Sequence, residues 1–74
     1  MIKFNFNTMK FEGLVMSQIE LWEKLYPDIS IKGELVEMIR WLDKRKDTKI
    51  VRKKDWKRFI CNWLARSQKR MVIG

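Results

Sequence analysis

Lysine and arginine, concentrated in the second half of this 74-residue chain, are the residues whose types and spacing point most directly to a chemical role. Residues 1–39 contain four Lys or Arg and six Asp or Glu, a net charge of −2, whereas residues 40–74 contain thirteen and three, a net charge of +10. Charge concentrated in this way is typical of a surface that binds a polyanion, and a solvated basic face without a ligand is the alternative. The side chains predicted to contact phosphate groups are Arg45, Lys46, Lys49, Arg52, Lys53, Lys54, Lys57 and Arg58.

The residue types required by most catalytic and metal sites are scarce. The chain has no histidine, which excludes Cys/His metal clusters and nucleophile–histidine pairs. Its three glycines are isolated, so no glycine-rich phosphate loop is present. The carboxylate pairs Glu20/Glu23 and Asp43/Asp47 have lysines at helical spacing, as in Glu20–Lys24, which predicts ordinary surface ion pairs. We therefore expect a protein that is not an enzyme and has no metal or cofactor.

The single cysteine and the hydropathy pattern indicate where the chain functions. Cys61 cannot form a disulfide within the chain, which fits a reducing compartment. It lies at the edge of an apolar helical stripe, where a small, partly buried hydrophobic residue is the favoured interpretation over a reactive thiol. No apolar run approaches the roughly 18–20 residues of a membrane span, and no signal-peptide pattern opens the chain. These features predict a cytoplasmic protein without a membrane partner.

A long amphipathic helix, predicted over residues 53–70, is the element around which the chain is organised. Its apolar residues recur at i, i+3, i+4, i+7 and i+8, which places them on one face: Trp56, Phe59, Ile60, Trp63 and Leu64. The opposite face contains Arg58, Asn62, Ala65, Arg66 and Lys69. Asp55 is expected in the first turn, where the helix dipole favours an anion. Phe59 and Trp63 are expected to be buried where the helices meet.

Two further helices are predicted, over about residues 12–26 and 31–45. Pro27 ends the first, because the residue before a proline avoids the α conformation, and Ser30 is placed to cap the second. The expected inner face of the first helix is Leu14, Gln18, Leu21, Trp22 and Leu25, widened by Val15, Ile19 and Tyr26. The expected core stripe of the second is Leu35, Met38, Ile39 and Leu42. Trp41 lies beside that stripe, either at the edge of the core or as a platform for stacking.

Residues 1–11 have an alternating pattern at their start, with Ile2, Phe4 and Phe6 on one side, which predicts either a short strand or an extended arm. A strand needs a partner for its backbone. The candidates are residues 71–73 or the same strand in a second molecule, which would make a homodimer. The predicted fold is therefore one mainly α domain over residues 1–74, a compact three-helix structure with a short extended or β segment at its N-terminus.

The connection between the second and third helices, residues 44–54, is the most basic part of the chain, since seven of its eleven residues are Lys or Arg. Ile50 and Val51 are expected to attach it to the core. Lysine-rich connections suit sequence-independent contact with phosphates, because reading base edges requires a few fixed bidentate side chains. Trp41, if exposed, would add base stacking and favour single strands.

The chain also resembles the small C-terminal module of bacteriophage replication proteins of the replisome-organiser and helicase-loader type. The resemblance covers residues 17–70: an aromatic-rich helix ending in Leu-Tyr-Pro, a second containing Met-Ile-Arg-Trp-Leu, a basic loop, and Arg-Phe-Ile-Cys-Asn-Trp-Leu in the third. Those proteins usually have further domains upstream, whereas only a short segment precedes the module here. The resemblance implies DNA replication in a phage or mobile element.

Two classes of function remain open. In the first, the basic residues bind single- or double-stranded DNA, largely independently of sequence. In the second, the chain is an adaptor or inhibitor that binds an acidic patch on a replicative helicase, a polymerase or a host factor, and the basic surface accelerates the encounter.

Overall fold

The computed structural model describes residues 1–73, with the side chains of residues 1–71. Two short strands come first, β1 (Lys3–Asn5) and β2 (Lys10–Glu12), followed by α1 (Met16–Leu25) and α2 (Ile31–Lys44). A short 3-10 helix (Lys49–Arg52) then leads to α3 (Trp56–Ile73). This confirms the predicted fold class of three helices preceded by a short β segment.

The N-terminal strand has its partner nearby in the same chain. β1 and β2 are antiparallel, with Phe4 opposite Phe11. Asn5 stabilises the turn between them, because its side-chain oxygen accepts hydrogen bonds from the backbone N–H groups of Asn7 at 2.8 Å and Thr8 at 3.2 Å. The pairing with residues 71–73 considered from the sequence was wrong, because those residues belong to α3 and β1 pairs with β2 instead. A homodimer through the N-terminal strand stays a prediction.

Gly13, directly after β2, has a backbone conformation that other residues rarely adopt. Its φ angle is +80°, in the left-handed region. A Cβ atom at this position would also collide with the carbonyl oxygen of Met1. The end of the hairpin therefore passes against the first residue of the chain at a position where only glycine fits.

Helix α1 is shorter than predicted, and its buried face is different. It begins at Met16 rather than at residue 12 or 14, after Val15, which has an extended backbone and provides no side-chain cap. Trp22 is 1% exposed, whereas Leu21 and Leu25 are 50% and 58% exposed. The prediction that these two leucines line the inner face was wrong. Ile19 and Tyr26 pack beside Trp22 instead, while Val15, which was expected to widen that face, is exposed.

Helix α2 follows the predicted pattern closely. The Ser30 hydroxyl accepts a hydrogen bond from the Gly33 N–H at 3.1 Å, which confirms the expected cap. Met38 and Leu42 are fully buried, and Leu35 and Ile39 are partly buried against the core. The helix ends at Lys44, one residue before the predicted end.

Helix α3 begins at Trp56, three residues later than predicted, so the segment from residue 53 to 55 lies outside it. Asp55 stands immediately before the first turn, where its carboxylate accepts a hydrogen bond from the Arg58 N–H at 3.1 Å. The apolar stripe is present, but its centre is rotated. Its fully buried residues are Ile60 and Leu64, with Trp56 at 4% exposure, while Phe59 and Trp63 are only partly buried. The expected burial of Phe59 and Trp63 was therefore wrong in degree.

The core consists of two neighbouring clusters of buried side chains. One joins the three helices and contains Trp22, Ile31, Met38, Ile60 and Leu64. The other, which we call the hairpin cluster, contains Phe4, Leu42 and Trp56, with Phe6 and Phe11 packed around them. Cys61 is partly buried beside the first cluster, as predicted for a small residue at the edge of the stripe.

Candidate nucleic-acid interface

The basic segment, residues 44–58, has a defined backbone that presents its side chains outward. After α2, the Thr48 hydroxyl donates a hydrogen bond to the Arg45 carbonyl at 2.7 Å and accepts one from the Ile50 N–H at 3.4 Å. The 3-10 helix closes with the Lys53 N–H donating to the Ile50 carbonyl at 3.1 Å. The segment is therefore a sequence of short turns rather than one continuous helix.

A single apolar side chain attaches the middle of this segment to the core. Ile50 is partly buried against the hairpin cluster, as predicted. Val51 is 42% exposed, so the expectation that it would also anchor the segment was wrong. With Ile50 held in the core and its neighbours in water, the charges on either side point away from the apolar interior.

All eight basic side chains predicted to contact phosphate are exposed, and they fall in four parts of the segment. Arg45 and Lys46 follow α2, and Lys49 and Arg52 belong to the 3-10 helix. Lys53 and Lys54 lie in the extended stretch before α3, and Lys57 and Arg58 lie in its first turn. The structure thus brings them together along one continuous segment of backbone.

Most of this positive charge has no carboxylate partner. Among the described residues, the ion pairs are Arg40–Glu37 at 3.3 Å and Lys46–Asp43 at 3.4 Å. Only Lys46 of the eight is therefore paired with an acid. The Glu20–Lys24 pair expected from the sequence is not formed, since neither residue takes part in these contacts.

Two aromatic rings lie under basic side chains of the segment. The Arg45 guanidinium carbon is 4.2 Å from the centre of the Trp41 ring, and its Nη1 is 3.5 Å from the Trp41 carbonyl oxygen. The Lys53 Nζ is 5.7 Å from the centre of the Phe59 ring. Both distances fall within the range of cation–π contacts. Trp41 is partly buried against the hairpin cluster, which fits the interpretation as an edge-of-core residue. Its use as a stacking platform stays a prediction.

An open cleft between α2 and α3 adjoins the start of the basic segment. Trp41 and Trp63 line it, with ring centres 6.0 Å apart in an edge-to-face arrangement. Towards the basic segment the cleft is lined by Arg40, Lys44 and Arg45. We call this end of the cleft, formed by Trp41, Trp63 and these three basic residues, the tryptophan notch.

Glu34, at the other end of the cleft, holds Trp63 in place. One of its carboxylate oxygens accepts hydrogen bonds from the Trp63 Nε1–H at 2.9 Å and from the Ser67 hydroxyl at 2.6 Å. Ser67 is 6% exposed and continues the buried face of α3 by one turn. Neither Glu34 nor Ser67 was predicted to have a role from the sequence. Their pairing joins residues about thirty positions apart, and only the i, i+4 spacing of Trp63 and Ser67 is visible in the sequence.

The described residues contain no group of three or more His, Cys, Asp or Glu side chains that could hold a metal ion. Within the same part of the chain, no helix is long and apolar enough to cross a membrane. Comparisons with protein-family models, with curated proteins and with solved structures find no match.

Proposed function

We propose that this chain binds nucleic acid, largely independently of base sequence, through the basic segment at residues 44–58. The observation that carries the proposal is the exposure of all eight predicted side chains, of which only Lys46 has a carboxylate partner among the described residues. Unpaired, exposed cations repel one another and contribute little to folding, whereas phosphate groups would neutralise them and release counterions.

The composition of the segment supports contact with phosphates rather than with base edges. Five of the eight side chains are lysines: Lys46, Lys49, Lys53, Lys54 and Lys57. Lysine is a flexible point charge, whereas base recognition usually depends on bidentate groups held in a fixed orientation. The arginines Arg52 and Arg58 make no side-chain hydrogen bond that would hold them in such an orientation among the contacts of the described residues. We therefore expect similar affinity for unrelated sequences.

The biological setting that we propose is DNA replication in a phage or mobile element, in the cytoplasm of the host. The support for it is the resemblance of residues 17–70 to the C-terminal module of phage replication proteins. In this role the chain is a binding accessory rather than an enzyme. A replicative helicase, polymerase or host factor is the alternative partner, with an acidic patch on that protein taking the place of the phosphates.

The test is a comparison of two triple variants by salt-dependent titration with labelled oligonucleotides. Lys49→Ala, Lys53→Ala and Lys54→Ala together remove three charges from the basic segment. The control, Lys10→Ala, Lys24→Ala and Lys32→Ala, removes three exposed lysines from the other half of the chain. Both variants lower the formal net charge from +8 to +5, so an effect of net charge alone would be the same in both.

The first variant should bind DNA more weakly, with the slope of log K against log salt reduced by about 0.7–0.9 for each lost contact, or roughly two to three in total. The control should keep nearly the slope of the wild type. Circular dichroism should show both variants folded, because none of the six side chains is buried. Equal slopes in the two triple variants would exclude specific phosphate contacts by the segment. An absence of DNA binding at low salt, together with capture of a replication protein by wild type alone, would favour the alternative.

A further inference from the structure

The tryptophan notch has features that the proposed phosphate contacts do not use. Trp41 is partly buried and packs against Phe59 and Trp63, with ring centres 5.8 Å and 6.0 Å away. The Arg45 guanidinium lies over the ring at 4.2 Å and is itself exposed. The ring therefore contacts two other aromatic rings and one exposed cationic side chain. A rigid aromatic surface of this kind suits the stacking of a planar group.

The charges around the notch favour an anionic ligand. Two acids line it, Glu37 and Asp43, and each is already paired, with Arg40 and Lys46 respectively. Lys44 and Arg45 line it without a carboxylate partner among the described residues. The group that occupies the notch should therefore be planar and attached to a negatively charged chain.

From this arrangement we infer that the notch binds an unpaired base of a single-stranded nucleic acid, stacked on Trp41. The inference rests on the proposed binding of nucleic acid and adds a preference for single strands. Arg45 is the second residue of the basic segment and adjoins the ring, so it can turn from Trp41 to the phosphate of the stacked nucleotide. The strand then continues over Lys49 and Arg52. A base within a duplex is stacked on its neighbours and does not enter the notch.

The size of the effect follows from known base–aromatic stacking. One stacked base changes the affinity by about 5- to 150-fold, and a partly buried ring should lie near the lower end of that range. The preference should hold for all four bases, because each has a planar face. This gain in affinity depends on the presence of a base, whereas the affinity from phosphate contacts depends on the charge of the strand.

The experiment compares wild-type protein with two single-stranded probes of equal length and charge, an oligo-dT and the same backbone with abasic spacers. We expect the oligo-dT to bind about 5- to 10-fold more tightly. In a Trp41→Leu variant that difference should disappear, while duplex binding remains as in wild type. The lysine triple variant should instead lose affinity for both probes and keep their ratio.

Each outcome decides a different point. Equal binding of the two probes by wild type overturns the stacking inference and leaves phosphate binding intact. Failure of both probes to bind overturns the proposed function and the inference together. A preference for oligo-dT that survives in Trp41→Leu shows that stacking occurs elsewhere and also overturns the inference.

A second measurement avoids the substitution, in case Trp41→Leu unfolds. An oligonucleotide containing 5-bromodeoxyuridine is irradiated in complex with wild-type protein, and the cross-linked peptide is mapped by mass spectrometry. Cross-links should appear at Trp41. Cross-links found only outside the notch would overturn the inference.

Discussion

Trp56 and Trp41 both pack against other aromatic rings, but Trp56 is buried and Trp41 is only partly buried. Trp56 is 4% exposed because the hairpin places phenylalanines over it, with the centres of Phe4 and Phe6 at 5.6 Å and 6.0 Å. Trp41 packs against two rings and the guanidinium of Arg45, yet it remains partly exposed. The N-terminal hairpin therefore covers Trp56, whereas Trp41 stays partly exposed beside the most basic part of the chain.

The comparison predicts the largest difference for removal of the two rings. Trp56→Ala should reduce the free energy of unfolding by about 3–5 kcal/mol, close to the roughly 5 kcal/mol expected for a domain of this size. Trp41→Ala should lose only about 1–2 kcal/mol, because less apolar area leaves the interior. Urea denaturation followed by circular dichroism measures both. Equal losses would show that the two sites do not differ in burial.

A substitution at Gly13 should destabilise the hairpin that covers Trp56 without removing any of the aromatic rings. Gly13→Ala should cost about 2–3 kcal/mol, since alanine is strained at a φ of +80° and its Cβ would collide with the Met1 carbonyl. Gly33→Ala is the matched control. At that position the higher helix propensity of alanine stabilises the helix, while displacement of the Ser30 cap destabilises it. The net change in the free energy of unfolding should therefore stay within about 1 kcal/mol. Thermal unfolding of both variants gives the comparison, and a neutral Gly13→Ala would contradict the constraint at the hairpin end.

In the cleft between α2 and α3, Trp63 and Ser67 are held by hydrogen bonds to the carboxylate of Glu34. Glu34→Ala should destabilise the protein by about 1–3 kcal/mol, because the buried Ser67 hydroxyl loses its acceptor. Glu34→Gln keeps an acceptor oxygen and should cost less than about 1 kcal/mol. Glu37→Ala, at an exposed position of the same helix, is the control and should have little effect. If Glu34→Ala were as stable as Glu37→Ala, the cleft would not require this hydrogen-bonded group.

The smallest effect is expected at the start of α3, between the two sites. Asp55→Ala removes the acceptor for the Arg58 N–H and should cost about 1 kcal/mol. Asp55→Asn retains a capping oxygen, so its free energy of unfolding should stay within a few tenths of a kcal/mol of the wild-type value. Both variants remove the same negative charge beside the basic segment. Chemical denaturation measures the stability of both variants. A similar loss in the two would point to the removed charge rather than to the cap as the cause.

Much of the fold could be predicted because its signals are local. The apolar spacing of α2 identified Met38 and Leu42, and Ser30 was recognised as its cap from residue type and position alone. The end of α1 followed from Pro27. The exposure of the eight basic residues was also predicted, since charged side chains in a polar connection remain in water whatever the packing.

The errors came from contacts between distant elements. The α1 pattern fits a stripe through Leu21 and Leu25 as well as one through Ile19 and Trp22, and only the positions of the other helices decide which is covered. The partner of β1 was missed because residues 6–9 form a turn between two strands that are each only three residues long. Such short strands give little alternation from which a second strand could be recognised.

The sequence by itself determined the three amphipathic helices and the concentration of positive charge between the second and third, because periodicity and charge are properties of neighbouring residues. Only the tertiary structure decided that Trp56 is buried, that Trp41 stays partly exposed and that Glu34 accepts a hydrogen bond from Trp63. Helical spacing fixes the angles between side chains on one helix, but the burial of each depends on which element lies against it. That choice is made by packing between residues far apart in the chain.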